Sequence, residues 1–315
     1  MSLVSVIVPC YNEEEVLPIF YGELTRVVKS MKEDFEVIFV DDGSSDKTLT
    51  LIKGFAKTDN RVKYISFSRN FGKEAAMYAG LEKSLGDFVC LMDADLQDPP
   101  SLLPEMVKAL EEEGYDSVAT RRVTRKGEPK LRTFFANNFY RVMNGVSDAR
   151  MMSGARDYRL MNRKFVNALL SLSEKERFTK GMFGWVGFKT KWIDFDNVER
   201  AAGKTKWSFT KLFDYAMGGI VAFSSVPLKL ITYFGICLSA VGFISLITSI
   251  ILRLCGIYVS GWLFVLEAVG LMLGVQNILF GFYGVYLENI YTEVKNRPIY
   301  IIGETNTGDM IDNDK

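Results

Sequence analysis

The chain has 315 residues, enough for one catalytic domain of about 200 residues with an extension, and too few for two large domains. Its 38 basic and 38 acidic residues cancel, which argues against a nucleic-acid-binding protein. It contains no histidine, and its four cysteines show no C-x-x-C spacing. Ser-His and Cys-His nucleophiles are therefore excluded, and the cysteines are interpreted as reduced and structural, so we expect carboxylates to carry any chemistry.

Short β-rich apolar runs alternate with helical patterns over the first 95 residues. Strands are predicted at 3–8, 35–40, 62–67 and 87–92, and helices at 13–31, 46–57 and 73–85. This βαβ rhythm predicts a mostly parallel sheet with helices on both faces. Because a strand begins almost at once, no signal peptide is expected, and the N-terminus is predicted to stay in the cytoplasm.

Polar or turn-forming segments follow all four of these predicted strands. They are Pro9–Glu13, Asp41–Asp46, Ser68–Lys73 and Asp93–Asp98. Open α/β sheets bind ligands at the carboxyl ends of their strands, so the four segments predict a single ligand site. Further along, helices are predicted at 100–113, 130–144 and 162–172, and strands at 115–120, 156–161 and 188–195.

Two long apolar segments follow residue 228. The first, 230–252, contains no charged residue and would reach roughly 35 Å as a helix, enough for a hydrocarbon core of about 30 Å. The second, 262–287, ends in 20 uncharged residues. Basic residues flank the outer ends of the pair, whereas the connecting loop has only Arg253. This bias predicts a two-helix transmembrane hairpin with both termini in the cytoplasm.

The predicted domains are a catalytic domain at 1–207, amphipathic interfacial helices at 208–227, two transmembrane helices at 228–290 and a cytoplasmic tail at 291–315. The interfacial helices are inferred from apolar residues at helical spacing beside Lys211 and Asp214. Gly270 and Gly274 lie near Gln276 and Asn277 within the second apolar segment. This pattern favours helix association, so we expect a homo-oligomer, with a tetramer favoured.

Paired carboxylates give the strongest chemical signal. Asp93 and Asp95 follow the fourth predicted strand, two residues apart. Two aspartates at a strand end can present oxygens to a hard divalent cation that also binds a diphosphate. Such a cation would neutralise a diphosphate leaving group.

The ends of the first two strands offer groups suited to a nucleoside. Tyr11 could stack on a base and Glu13 could bind the edge of the base or a ribose, while Asn12 suits a helix cap. After the second strand, Asp42 could accept a hydrogen bond from a base N–H. Ser44 or Ser45 is predicted to cap the next helix, although a plain turn and cap would also explain this segment.

Five blocks in order resemble the inverting nucleotide-sugar transferases of the GT-A fold. They narrow the resemblance to polyisoprenyl-phosphate enzymes: dolichol-phosphate mannose synthases and, more closely, bactoprenol glucosyltransferases. The blocks are Arg69–Glu74, Asp93–Pro100, Asp157–Leu160, Glu199–Trp207 and the stretch from Tyr286 to Tyr300.

The resemblance implies a role for individual residues. Pro9, Tyr11, Glu13 and Asp42 would hold the nucleoside, within a donor site that also includes Asp41, Lys73 and Ala94. Asp93, Asp95 and Gln97 would bind Mg²⁺ or Mn²⁺ and the donor diphosphate, and Asp157 would be the candidate base. A phosphate monoester is already largely dianionic at neutral pH, so Asp157 could instead orient the acceptor or balance charge.

Two basic clusters are suited to the phosphate of a lipid acceptor. Residues 121–132 contain six basic side chains against one acidic, and residues 200–211 contain four. Arg122, Arg132, Arg200 and Lys206 are the candidate acceptor contacts, because arginine binds phosphate through two parallel hydrogen bonds and lysine as a point charge. For each of them, a solvated surface or an anionic-lipid contact is the alternative.

The expected reaction is transfer of a hexose, with inversion, from a nucleotide-sugar to undecaprenyl or another polyprenyl phosphate, for glycosylation of the cell envelope. The resemblance favours UDP-glucose as donor. A processive polysaccharide synthase would share the first half of the chain, but its Q-x-x-R-W motif is absent. The remaining alternatives are a non-catalytic nucleotide-sugar-binding membrane protein and a partner in translocation of lipid-linked sugars.

Overall fold

The computed structural model describes residues 2–122, 155–175, 177–195 and 261–307, together with the single positions 248, 251, 254 and 255. Several expectations fall outside these ranges. They are the helix at 130–144, the interfacial helices at 208–227 and almost all of the first apolar segment at 230–252.

One eight-stranded sheet organises the described residues, in the order β7-β5-β6-β4-β1-β2-β3-β8. The strands are β1 (Leu3–Cys10), β2 (Asp34–Asp41), β3 (Val62–Phe67), β4 (Phe88–Leu91), β5 (Ser117–Arg122), β6 (Ala155–Asn162), β7 (Thr190–Phe195) and β8 (Ile302–Thr305). The helices are α1 (Leu17–Val28), α2 (Thr48–Thr58), α3 (Lys73–Lys83), α4 (Leu103–Glu112), α5 (Arg163–Ser171), α6 (Thr179–Trp185) and α7 (Gly261–Lys295), with a 3₁₀ turn at Pro100–Leu102.

The first four strands form the parallel half of the sheet. β1 pairs in parallel with β2 and β4, and β2 pairs in parallel with β3. This confirms the predicted βαβ pattern, with boundaries that shift by at most four residues. The four polar segments predicted to form one site therefore follow strands that end at the same edge of the sheet.

The remaining strands bring a second set of residues to that edge. β6 runs antiparallel to β4, with Leu91 opposite Arg159. Continuing this register by two residues places Asp93 opposite Asp157. β5 pairs antiparallel with β6 and parallel with β7, so the three strands predicted at 115–120, 156–161 and 188–195 are confirmed.

Helices cover both faces of the sheet and bury two apolar clusters. On one face, Phe20 of α1, Ile52 of α2 and Met106 of α4 pack over the sheet. On the other face, Met77 of α3 and Phe165 of α5 do the same. A sheet buried on both faces explains why its central strands are almost continuously apolar.

The last strand, β8, was not predicted, because residues 291–315 were expected to form a tail. β8 pairs antiparallel with β3, and the Tyr300 ring stacks on Phe67 with centroids 4.9 Å apart. The Tyr300 hydroxyl also donates a hydrogen bond to Glu82. β8 thus covers the backbone edge of β3, which would otherwise be open to pairing with another chain.

Helix α7 covers the second predicted apolar segment, 262–287, and extends to Lys295. Within the described residues, however, no helix has the combination of length and apolarity required to cross a membrane.

Gly43 provides a test of how the ligand edge is assembled. Its φ is +66°, and a Cβ there would lie 2.5 Å from the carbonyl carbon of Arg69. We expect Gly43→Ala to lower the free energy of unfolding by about 1–3 kcal/mol, because it combines an unfavourable φ with a backbone clash. Gly54→Ala is the matched control, since nothing would lie within 4 Å of a Cβ added there and alanine favours the helix. Denaturant unfolding of the full chain in detergent would measure both, and equal stabilities would contradict the close approach.

Candidate active site

The Asp93–Asp98 segment forms a tight turn directly after β4. Ala94 and Asp95 are buried, and a carboxylate oxygen of Asp95 accepts a hydrogen bond from the Gln97 backbone N–H at 3.1 Å. Leu96 has a φ of +58°, an unfavourable conformation for a residue with a branched side chain. Such local strain is a feature of functional turns, where the surrounding structure holds it in place.

Lys73, the first residue of α3, links the predicted metal site to the predicted base. Its Nζ lies 2.6 Å and 2.9 Å from the two carboxylate oxygens of Asp93. The same Nζ lies 2.7 Å from Oδ2 of Asp157. Lys73 and Asp157 are separated by 84 positions in the chain, and the structure joins Lys73, Asp93 and Asp157 as a single charged cluster.

A second lysine completes the surroundings of Asp157. Nζ of Lys180, on α6, lies 3.7 Å from Oδ1 of Asp157. Burial alone would raise the pKa of Asp157, but attraction to Lys180, Lys73 and Arg156 outweighs burial and holds the pKa well below its usual range. A carboxylate with so low a pKa is a weak base. Balancing charge or orienting the acceptor therefore fits Asp157 better than removing a proton.

Asp98 and Arg156 form a buried ion pair beside this cluster. Arg156 Nε donates to Asp98 Oδ1 at 2.8 Å, and the Asp98 side chain is fully buried. Burial raises the pKa of Asp98 to about 6, although Arg156 opposes the shift. Among the described residues, Asp98 Oδ2 and Arg156 Nη2 have no hydrogen-bond partner. Asp98 belongs to the Asp93–Pro100 motif but has no role predicted from sequence, and Arg156 and Lys180 were not predicted as site residues.

The two aspartates after β2 bond to neighbouring loops. Asp41 accepts hydrogen bonds from the Ser66 hydroxyl at 2.8 Å and from the Ser44 backbone N–H at 3.2 Å. Asp42 accepts from the backbone N–H groups of Phe71, at 2.6 Å, and Gly72, at 3.0 Å. Both carboxylates are buried and bind the protein's own backbone or side chains. Their predicted contact with a nucleoside stays a prediction.

The loop after β1 lies against the loop after β2. Asn12 accepts a hydrogen bond from the Ser45 N–H at 2.8 Å and donates its own backbone N–H to the Ser44 hydroxyl at 2.9 Å. The predicted capping roles of Asn12, Ser44 and Ser45 are therefore wrong, because these groups bond to each other across the two loops. The N-cap of α1 is Val16, and that of α2 is Lys47.

The predicted nucleoside contacts on β1 lie at the same edge. Pro9 is half-buried near the end of β1, and Tyr11 is 38% exposed, so its ring is accessible for stacking. The backbone N–H of Glu13 donates to the Thr48 hydroxyl at 2.7 Å. The structure thus brings the loop that follows Pro9, with Tyr11 and Glu13, against the loop after β2 that carries Asp42.

The predicted phosphate contacts of the acceptor are only partly covered by the structure. Arg122 ends β5, but its side chain lies outside the described residues, as do Arg132, Arg200 and Lys206. Neighbouring Arg121, which belongs to the same basic cluster, forms two 2.6 Å hydrogen bonds to the carboxylate of Asp194 on β7.

The residues after β4 fit a divalent cation. Asp93 already holds a cationic group, the Lys73 ammonium, with both oxygens. Within the described ranges, no three acidic, cysteine or histidine side chains converge as metal ligands. Mg²⁺ commonly binds one or two carboxylates and completes its octahedral shell with substrate phosphates and water, so Asp93 and Asp95 with Gln97 suit that mode.

A family model described as glycosyl transferase family 2 matches residues 5–170, which include β1 to β4, Asp93, Asp95 and Asp157. The chain belongs to this family. The match and the mostly parallel sheet together support the GT-A fold class implied by the motifs.

Relatives extend the family assignment over almost the whole chain. A Bacillus subtilis (strain 168) protein with the provisional name glycosyltransferase CsbB is 45% identical over 306 residues, covering 97% of this chain and 92% of its own. A prophage-derived bactoprenol glucosyl transferase of Shigella flexneri is 37% identical, covering 97% of this chain and 99% of its own.

Solved structures resemble the chain more distantly. The glucosyl-3-phosphoglycerate synthase of Mycobacterium tuberculosis, in complex with Mn²⁺, UDP and phosphoglyceric acid, gives a TM-score of 0.48 at 19% identity. The similarity covers 70% of this chain and 76% of that one.

The buried Asp42 predicts a pH dependence of stability in this family 2 transferase. Burial raises the pKa of Asp42 to about 6, although the N–H groups of Phe71 and Gly72 oppose the shift. A carboxyl with a raised pKa adds stability that is complete below its unfolded value of about 4 and is lost as the pH rises through about 6. The shift of about 2 units corresponds to at most about 3 kcal/mol.

We therefore compare the unfolding free energies of the wild type and of Asp42→Asn. The wild type should lose stability relative to Asp42→Asn as the pH rises from about 4 to about 7. Denaturant unfolding at a series of pH values would measure this difference. Asp34→Asn, an exposed carboxylate at the start of β2, is the matched control and should change the profile little. Identical profiles for wild type and Asp42→Asn would contradict the raised pKa.

Proposed function

We propose that this glycosyl transferase family 2 protein transfers a hexose, with glucose from UDP-glucose favoured, to undecaprenyl or another polyprenyl phosphate with inversion. The product would be a polyprenyl-phosphate-linked sugar for glycosylation of the cell envelope. The observation that carries the proposal is the convergence of Asp93, Lys73 and Asp157 at the ligand edge of the sheet. The near full-length similarity to a bactoprenol glucosyl transferase supports the acceptor class.

On the donor side, Tyr11 would stack on the base, while Pro9, Glu13 and Asp42 would line the nucleoside. Asp41 supports that site by holding the Ser44 loop, as its hydrogen bonds indicate. Asp93, Asp95 and Gln97, with Ala94 between the aspartates, would hold Mg²⁺ or Mn²⁺ and the diphosphate. The cation would neutralise charge on the departing diphosphate.

On the acceptor side, Arg122, Arg132, Arg200 and Lys206 would bind the phosphate of the lipid. The phosphate is already largely dianionic at neutral pH and can attack the anomeric carbon without a strong base. The C–O bond to the nucleotide diphosphate would break as the bond to the lipid phosphate forms on the opposite face, which inverts the anomeric centre. Asp157 would orient the acceptor or balance charge in this step, in keeping with its lowered pKa.

We further propose two transmembrane helices, at 230–252 and 262–287, preceded by interfacial helices at 208–227. Both termini and the catalytic domain would then lie in the cytoplasm. The uncharged runs and the basic flanking residues support this arrangement. Helix association through Gly270 and Gly274 would give a homo-oligomer, with a tetramer favoured.

Sugar transfer to lipid tests the enzymatic proposal. The full chain in detergent, with undecaprenyl phosphate, radiolabelled UDP-glucose and Mg²⁺ or Mn²⁺, should move label into the organic-soluble fraction, and EDTA should abolish the transfer. Asp95→Asn should lose at least about 100-fold in rate, because it weakens charge stabilisation of the leaving group. Glu105→Gln, an exposed carboxylate on α4, is the matched control and should retain activity.

The same assay distinguishes the competing interpretations. The other donors to test are UDP-N-acetylglucosamine and GDP-mannose. If the protein binds a nucleotide-sugar but transfers label to lipid from none of the three donors, the proposed activity is overturned and a non-catalytic binding protein is favoured. Transfer from one of the other two donors, but not from UDP-glucose, would support the proposed enzyme class and show that the donor is a different nucleotide-sugar.

A native cysteine tests the proposed topology. Cys255 is exposed and lies between the two proposed spans, whereas Cys10 and Cys90 are buried in the catalytic domain. A membrane-impermeant maleimide added to intact cells should therefore label the wild type, and Cys255→Ser should remove that label. Labelling of Cys255 only after the cells are broken would place the loop in the cytoplasm and contradict the hairpin.

A further inference from the structure

We propose that Lys73 and Lys180 form a phosphate-binding pair that Asp157 holds in position, and that Lys180 contacts a substrate phosphate. The inference rests on the proposed glycosyl transfer and adds a residue from α6, an element with no assigned part in the site. It also gives Asp157 the role of a positioning residue, whose effect is exerted through two ammonium groups.

The geometry around Asp157 supports the pair. Each oxygen of its carboxylate faces a different lysine, Lys73 at 2.7 Å from Oδ2 and Lys180 at 3.7 Å from Oδ1. The two lysine side chains are 30% and 31% exposed, whereas the Asp157 side chain is 16% exposed. The carboxylate thus lies deeper than the ammonium groups that it joins, and those groups are the more accessible to a ligand.

Two contacts outside the cluster fix the position of α6, and hence of Lys180. Glu74, next to Lys73 on α3, accepts hydrogen bonds from the backbone N–H and the hydroxyl of Thr179 at the start of α6. Arg159, two residues after Asp157 on β6, places its guanidinium 4.2 Å from the ring centroid of Phe183. The elements that carry Lys73 and Asp157 therefore also anchor the helix that carries Lys180.

The balance of charge indicates an anionic ligand. Lys73 is shared between Asp93 and Asp157. Once Asp93 serves a divalent cation, Lys73 and Lys180 still share the Asp157 carboxylate, so these three side chains together bring two positive charges and one negative charge. Lysine binds phosphate as a point charge, so the group suits phosphoryl oxygens.

Two phosphates could supply those oxygens: the diphosphate of the nucleotide-sugar and the phosphate of the polyprenyl acceptor. Both must approach the same anomeric carbon near Asp93 for transfer to occur. The chemistry required of the lysine pair is the same for either phosphate, and the steady-state constants of the two substrates tell them apart.

The first test measures KM for UDP-glucose and for undecaprenyl phosphate with the full chain in detergent. Lys180→Gln should raise one KM by about 10- to 100-fold, as expected for loss of a charge-assisted hydrogen bond. Lys180→Arg should restore most of the loss because it keeps the charge. Lys164→Gln, an exposed lysine on α5, is the matched control and should leave both constants within twofold of wild type.

A second test needs no turnover. The Kd of UDP in the presence of Mg²⁺, and the Kd of undecaprenyl phosphate, should show the same selective weakening in Lys180→Gln. If KM and Kd rise for the nucleotide ligands, Lys180 contacts the donor diphosphate. If they rise for undecaprenyl phosphate, Lys180 contacts the acceptor phosphate. Asp157→Asn should weaken the same ligand, since it leaves the two lysines without the carboxylate that positions them.

The outcomes separate this inference from the function on which it rests. Wild-type transfer with both KM and both Kd values unchanged in Lys180→Gln would overturn the lysine pair and leave the activity standing. Absence of transfer by the wild type from every donor tested would overturn the activity, while the Kd measurements would still decide the pair. If Lys180→Gln does not fold, a Lys180→Arg protein with a KM raised as strongly as by Asp157→Asn would overturn the charge argument.

Discussion

The attraction between the Lys73 ammonium and two carboxylates is the interaction on which the ligand edge depends. Asp93 and Asp157 lie at the ends of neighbouring strands, and their negative charges would repel each other without the cation between them. Lys73 is the first residue of α3, directly after the Phe71–Gly72 backbone that Asp42 holds by hydrogen bonds. The loop after β2 therefore helps to position the ammonium that joins β4 to β6.

The topology of the sheet explains why these groups meet. Parallel strands β1 to β4 deliver their carboxyl ends to one edge, which gathers Tyr11, Asp42 and Asp93. Strand β6 runs the other way, so Asp157, near its beginning, reaches the same edge. A mixed sheet thus allows residues from both ends of strands to contribute to one site, to which helices α3 and α6 add Lys73 and Lys180.

The parallel half could be predicted from sequence because its signals are local. Apolar runs with polar ends identify β1 to β4, and Asp93 and Asp95 stand out at such an end. The contacts of Lys180 could not be predicted, because they depend on the docking of a seven-residue helix through Glu74 and Arg159. Asp42 shows the opposite case: its position was predicted, but its bonds to backbone N–H groups depend on how closely two loops approach.

The C-terminal segment shows why a short strand can matter more than its sequence indicates. β8 has four residues, too few for a clear alternating pattern, yet it closes the edge of β3. Just before it, near the end of α7, a Glu293 carboxylate oxygen accepts the Lys175 backbone N–H at 2.6 Å. The end of α7 is therefore joined to the loop after α5. The following strand, β8, is joined to β3 at one edge of the sheet. Two attachments at separate points restrain the end of α7 more than one flexible connection would, so the chain's return to the sheet contributes to the position of the helix end.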